Sequence, residues 1–385
     1  MRWASAGSTK TKSAAAIGEV AAALRAELGA TAPDLIVAFV SAHHRQRFSE
    51  IPALVRREFG SGLFVGCSAG GVIGGGREIE QRPGLSVTAA VLPRVDLEPF
   101  HLTTAAAEWP RRLALAPGKE RHFLLLGEPF SFNAEPFLNY LDSAYPLGRK
   151  IGGLASGGRQ AGENVLFLHD RTLGAGMAGV ALSGDIQMDT IVAQGCRPIG
   201  QPMFVTKCQR NVVWELDGQP AVEVLQNLYE QLEPADQELA RHALFVGLVM
   251  DENRQEYRQG DFLIRNIIGM DAESGVLAVA AAVHEGGVVQ FHLRDAHTSS
   301  ADLEQLLTAY ATAGMRPAGA LLFSCLGRGS FLYGAPDHDT SAFHAHLGPV
   351  PLGGFFCNGE IGPVQGSTFL HGYTSAFGLF GPGNQ

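Results

Sequence analysis

Two rhythms of apolar residues alternate along this chain. Short unbroken apolar runs, suited to strands buried on both faces, are separated by stretches in which apolar residues recur every three or four positions, as on one face of a helix. Residues 1–8 supply an edge strand. Over 9–28, Ile17, Val20, Ala21, Leu24 and Leu28 fall on one helical face, with Ser8 or Thr9 to start the helix and Gly29 to stop it. The run 34–40 is then a buried strand, followed by His43, His44 and Arg45 at a strand end, where polar side chains can face a cleft. A helix over 48–59 leads to an apolar entry at 62–66 and a glycine-rich turn, and 85–92 forms the next strand before Pro93.

The same order recurs. A buried strand at 122–127, a helical segment at 134–141 closed by Pro146, an apolar entry at 150–153, a second glycine turn and a closing strand at 176–182 repeat the first series. Strand to glycine turn takes about 30 residues in both copies, a length that fits a strand–helix–strand unit. Residues 1–215 therefore read as one domain with an internal duplication. Residues 216–385 read as a second, opening with a polar helical stretch at 218–241 broken at Pro234. Strands follow at 243–250, 261–270 and 275–293, and a helix over 299–314 carries Leu303, Leu306, Leu307 and Tyr310 on one face. A strand at 318–325 runs into Gly327-Arg328-Gly329, a short helix occupies 340–347, and 369–380 closes the unit. The expected fold class is α/β: two domains of repeated strand–helix–glycine turn–strand units forming mixed sheets flanked by helices.

The stretch 351–363 holds a third glycine turn and ends near a single carboxylate, Glu360. Gly354-Phe355-Phe356-Cys357-Asn358-Gly359 can be laid over Gly66-Cys67-Ser68-Ala69-Gly70-Gly71 and over Gly153-Leu154-Ala155-Ser156-Gly157-Gly158. Glycine lets a backbone turn with positive φ or approach a ligand closely. Open α/β sheets take their ligands outside the strand ends, so three such turns gathered there would line one crevice.

Composition narrows the classes. Of 385 residues, 46% are hydrophobic and 17% charged, which fits a globular protein with ample core. The 48 glycines show no triplet period and so serve turns rather than a fibre. A net charge of -9 argues against a nucleic-acid partner, which would want a basic face. The absence of a long apolar run argues against a membrane span, and Lys10 and Lys12 interrupt any signal peptide, so the cytoplasm is the expected location. Five cysteines (Cys67, Cys196, Cys208, Cys325, Cys357) are odd in number and lack C-x-x-C spacing, which speaks for reduced thiols rather than a disulfide or zinc framework. Gly7-Ser8-Thr9-Lys10 lacks phosphate-loop spacing and reads as a helix cap.

At particular residues the chain resembles a known family. Residues 34–40, the turn from Val65 to Ile73, 151–158 and 176–184 look like the N-terminal half of the FIST family. Arg265-Asn266-Ile267-Ile268-Gly269, the run from Phe323 to Gly329, 354–363 and His371-Gly372-Tyr373-Thr374 resemble its C-terminal half. The similarity covers nearly the whole chain, in order. It implies an intracellular sensory module that binds a small ligand such as an amino acid. Some bacterial members are reported to bind haem and sense nitric oxide, and a eukaryotic member carries an F-box. No kinase, cyclase, chemoreceptor or F-box segment is attached here, so signal output would pass through a separate protein partner.

The residues expected to contact a ligand are Arg328, Gly329, Cys357, Asn358, Gly359, Glu360 and His371, with Cys67, Ser68, Gly70, Ser156 and Gly157 from the first two turns. Arg328, between two glycines, presents a planar fork suited to a carboxylate, and Glu360 complements it by holding an ammonium. The alternatives are a haem-based nitric oxide sensor and a hydrolase using Cys325 or Cys357. For haem one axial imidazole suffices, and sequence does not choose among His43, His44, His169, His344, His346 and His371. For the hydrolase, both thiols sit in or just after apolar strand sequence, where an inert buried thiol is the commoner state.

Overall fold

In the computed structural model, residues 1–103, 105–113 and 120–383 are described. Their contacts define two units: Met1–Val192 with Glu304–Gln385, and Ala193–Leu303. The boundary expected near residue 215 thus falls inside the second unit.

Three repeats build the first unit. The first runs β1 (Arg2–Ser8), α1 (Ser13–Leu28), β2 (Leu35–Ser41), α2 (Ile51–Phe59), β3 (Leu63–Ala69), β4 (Gly71–Gly74), β5 (Arg77–Ile79) and β6 (Leu85–Val91). The second runs β7 (Val95–Leu102), α3 (Trp109–Arg112), β8 (His122–Gly127), α4 (Ala134–Ala144), β9 (Lys150–Leu154), β10 (Leu166–Leu168), β11 (Arg171–Leu173) and β12 (Met177–Gly184). The third begins with β13 (Gln187–Gln194) and is interrupted by the second unit. That unit contributes β14 (Cys196–Gln209), β15 (Val212–Leu216), β16 (Gln219–Pro220), α5 (Ala221–Gln231), α6 (Pro234–Ala243), β17 (Leu244–Val249), β18 (Phe262–Asp271), β19 (Val276–Val279) and β20 (Val288–Arg294). The third repeat resumes through α7 (Ala296–Thr312) with β21 (Gly319–Cys325), α8 (Ser330–Tyr333), α9 (His338–Leu347), β22 (Leu352–Cys357), β23 (Glu360–Val364), β24 (Ser367–His371) and β25 (Thr374–Gly381).

In every repeat two strands joined by a helical crossover lie parallel: β2 with β3, β8 with β9, β21 with β22. The closing strand returns antiparallel beside the first of them, as β6, β12 and β25. The hairpin between them is not kept at home. β4–β5 adds to β22, β23–β24 adds to β9, and β10–β11 adds to β3. The three six-stranded sheets, β1-β6-β2-β3-β10-β11, β7-β12-β8-β9-β23-β24 and β13-β25-β21-β22-β4-β5, therefore share one order, and each is completed by another repeat's hairpin. One core cluster receives side chains from all three sheets, including Val37, Phe39, Val65, Leu124, Leu126, Ile151, Leu321, Phe323 and Phe355. These strands are apolar without alternation because both of their faces are covered.

Close backbone approach fixes the repeat register. A Cβ at Gly66 would lie 2.0 Å from the Ala38 carbonyl oxygen, at Gly152 1.8 Å from that of Leu125, and at Gly354 1.8 Å from that of Leu322. Only glycine fits at these points. The match of Gly153 to Gly66 and Gly354 is thus corrected by one residue. Equivalent positions are Ala69, Ala155 and Cys357, followed by Gly70, Ser156 and Asn358.

The start expected for the first helix is also revised. Ser8 pairs with Leu85 as the last residue of β1, and α1 begins at Ser13, although its buried face is the one expected. The second unit is a barrel-like sheet, β14-β20-β17-β18-β19-β15-β16, closed by an added β14–β15 pairing, with α5 and α6 contributing Val222, Leu225 and Ala240 to its core.

Candidate functional site

The three glycine turns meet at the carboxyl ends of the parallel strands. Ser156 carries the junction: its Oγ accepts the Gly70 N–H at 2.8 Å and donates to the Phe356 carbonyl, while its own N–H reaches the Ser68 carbonyl at 3.1 Å. Asn358 donates its side-chain amide to the Ala155 carbonyl at 3.0 Å and its N–H to that of Leu154 at 3.1 Å, and Leu154 donates to the Gly359 carbonyl at 2.9 Å. Gly157 turns with φ of 88°, and a Cβ there would lie 2.6 Å from the Ala69 carbonyl oxygen. Each repeat thereby contributes one turn to one place, as expected from the sheet topology. Asn358 is exposed, Gly70 and Gly157 are half-buried, and Cys67, Ser68, Ser156, Cys357 and Gly359 are buried. Leu326, 40% exposed, lies over Gly70, and Arg45 donates to the Gly157 carbonyl at 2.8 Å. Its neighbour His44 does not face a cleft: it is buried with its ring 3.0 Å from Ser13 Oγ.

Behind the third turn lies a buried polar cluster. Arg328 is 0% exposed, and its Nε and Nη2 donate to Asp339 Oδ2 and Oδ1, both at 3.0 Å. Asp339 also accepts from Ser324 at 3.3 Å and from Ser375. Burial acts to raise the Asp339 carboxyl, but the Arg328 guanidinium prevails and holds it well below the usual carboxylate range. The open arginine fork expected at this position is therefore corrected: its bidentate face is spent on Asp339, inside the fold. The flanking Gly329 serves packing. Its φ is 61°, and a Cβ would fall 2.6 Å from the carboxylate of Glu80, which accepts the Ser330 N–H at 3.0 Å.

Glu360 is different. It too is 0% exposed, and its Oε2 accepts the Thr374 N–H at 3.1 Å and hydroxyl at 3.0 Å. Its Oε1 has no hydrogen-bond partner among the described residues. Burial pushes the carboxyl up to about 8, against the opposing influence of Thr374, the Arg328 charge and the nearby Cys357 thiol, so it is mostly protonated at neutral pH. His371, the register partner of Glu360 on β24, is buried with its Nε2 3.0 Å from the Gly362 carbonyl.

Cys67 and Cys357 are packed as core, whereas Cys325 is half-buried. Cys357 and Cys67 are 0% exposed, burial pushes both well above the ordinary thiol range, and Cys357 donates to the Ser324 carbonyl at 3.3 Å. A nucleophilic cysteine needs the opposite environment. Of the histidines considered for haem, His43 is exposed. His44 and His371 are buried with ring nitrogens turned to Ser13 and Gly362, His344 and His346 to the Val350 and Ala342 carbonyls, and His169 is exposed on the β10–β11 turn. No group of three or more metal-ligating side chains occurs among the described residues.

Asp339 and Ser375 were not foreseen. The signal available for Asp339 was weak, an acid in the first turn of a short helix. Thr374 lay in a stretch already singled out, His371-Gly372-Tyr373-Thr374, without a role assigned to it.

Among the described residues no helix is long and apolar enough to cross a membrane. An uncharacterized protein of Mycobacterium tuberculosis (strain CDC 1551 / Oshkosh) is 37% identical over 371 residues, covering 95% of this chain and 96% of its own. An uncharacterized protein of Mycobacterium bovis is 36% identical, covering 94% of both chains. An F-box/LRR-repeat protein of Arabidopsis thaliana is 23% identical over 63% of this chain and 54% of its own. The FIST N domain model matches residues 34–219 and the FIST C domain model 221–363. FIST domains are associated with sensory roles in signal transduction rather than with catalysis. Matched by both halves in order over most of its length, the chain belongs to the FIST family.

Proposed function

We propose that this chain is a cytoplasmic small-ligand sensor, binding an amino acid or similar small metabolite where the glycine turns converge and passing the signal to a separate protein. The observation that carries this reading is Glu360, a fully buried carboxyl with Oε1 unpartnered beside the third turn. An unsatisfied buried oxygen costs about 1–3 kcal/mol, which a ligand donor would recover. An ammonium would do so best, and its charge would favour the ionised carboxylate. Arg328 supports the site from behind by fixing Asp339 rather than by touching the ligand. Asn358, exposed beside the junction, is the side chain best placed to meet an incoming molecule.

Calorimetry with a panel of amino acids, run at neutral pH in two buffers of different ionisation enthalpy, tests this. The expected result is binding accompanied by proton release in the parent, and weakened binding without proton release in Glu360→Gln. Equal affinity in both proteins would defeat the assignment of Glu360.

A further inference from the structure

A cavity lies in the same unit, away from the turn junction, at the amino end of β8 and β9. It measures about 410 Å3, and its lining includes Glu120, His122, Arg149, Gln187 and Asp189. His122 is only 7% exposed, and its Nδ1 accepts the Arg149 backbone N–H at 3.2 Å. An accepting Nδ1 places the proton of the neutral ring on Nε2. That Nε2 has no partner among the described residues, and His122 lines the cavity. Burial, the largest influence, lowers the His122 pKa, with Arg149 and Lys150 acting the same way and Glu120 and Asp189 opposing. The ring therefore stays a neutral donor at neutral pH. The Arg149 side chain is exposed and forms no ion pair among the described residues. Facing these donors is Asp189 on β13, held by Tyr310 at 3.0 Å and by Gln187 at 3.1 Å, with Glu120, which forms no ion pair among the described residues, nearby.

We infer that this cavity binds a small dipolar molecule, its anionic end on Arg149 and the His122 Nε2–H and its cationic end on Asp189. A simple anion would meet two carboxylates, and a simple cation would meet the guanidinium. A molecule carrying both charges satisfies each wall. Tyr310 and Gln187 hold the Asp189 carboxylate in place before the ligand arrives, so little ordering remains to be done on binding.

The test follows the His122 ring signal by NMR in the full chain, assigned by its loss in His122→Gln. Glycine, β-alanine and 4-aminobutyrate are the probes, because they space the same two charges progressively apart; acetate and methylammonium are the singly charged controls. The expected result is a saturable shift with at least one dipolar probe, weakened about tenfold or more in both Arg149→Gln and Asp189→Asn and by either control. Arg149 is exposed, so its replacement leaves the fold in place. No saturable shift, an equal response to acetate, or an affinity indifferent to Arg149→Gln would overturn the assignment. Glu360→Gln leaves this response unchanged, so this cavity and the turn junction succeed or fail separately.

Discussion

Arg328 and Asp339 face each other through two hydrogen bonds of 3.0 Å, in a cluster from which both are shut off from solvent. Their mutual dependence sets the first expectation. Asp339→Asn or Asp339→Ala leaves an uncompensated buried guanidinium and should cost about 3–5 kcal/mol, whereas the double change Arg328→Met with Asp339→Leu should cost markedly less than the single changes together. Urea unfolding of the parent, Arg328→Met, Asp339→Leu and the double variant measures the coupling.

Glu360 should make stability depend on pH in an unusual direction. Its carboxyl lies near 8 when folded against an ordinary value of 4.5, so between those limits the native state holds a proton that the unfolded chain has lost. Stability is full below the unfolded value and falls as pH rises, by up to about 1.4 kcal/mol per unit, levelling off above about 8. Glu78, also pushed up to about 8 chiefly by burial and next by Asp339, adds a second slope of the same sign. Unfolding free energies measured across this range should show the parent losing more stability than Glu360→Gln. A parent curve that rises over the same window would contradict the buried, protonated state.

Glycine replacements separate contact from conformation. Gly152→Ala places a methyl 1.8 Å from the Leu125 carbonyl oxygen, between two paired strands that cannot part cheaply, and should cost more than about 3 kcal/mol or prevent folding. Gly162→Ala meets open space and carries only its φ of 84°, for about 1 kcal/mol. Thermal unfolding of the pair reads the difference.

Thiol labelling reports on the packing of the turns. In the native protein Cys67, Cys196 and Cys357 are buried and should resist an aqueous maleimide, while Cys208 and Cys325, half-buried, should react. All five should label in denaturant. Rapid native labelling of Cys357 would show that the junction opens and would revive a role for that thiol.

How far the sequence disclosed this arrangement depends on the range of the force involved. The buried face of α1 and the strands around Val37, Leu124 and Leu321 were legible because burial on both faces leaves an unbroken apolar run. The short hairpins were not. Arg77–Ile79 and Leu166–Leu168 carry too few residues to show a period, and their pairing partners lie in other repeats. The glycine turns were legible as a set. Their register was not, because in Gly152-Gly153 the sequence offers two glycines and only the Leu125 carbonyl distinguishes them. Arg328 was visible as an unusual arginine, but Asp339 reaches it only once α9 has docked.

The exchange of hairpins has a consequence for synthesis of the chain. When the first repeat leaves the ribosome, β4–β5 has no sheet to join, because its seat is the edge of β22 near the other end of the polypeptide. The open side of β3 likewise waits for β10, and that of β9 for β23. The first sheet can therefore close once β11 has emerged, whereas the other two consolidate late, after β24 and β25, and a nascent chain arrested before that point should carry exposed strand edges that bind a holdase chaperone.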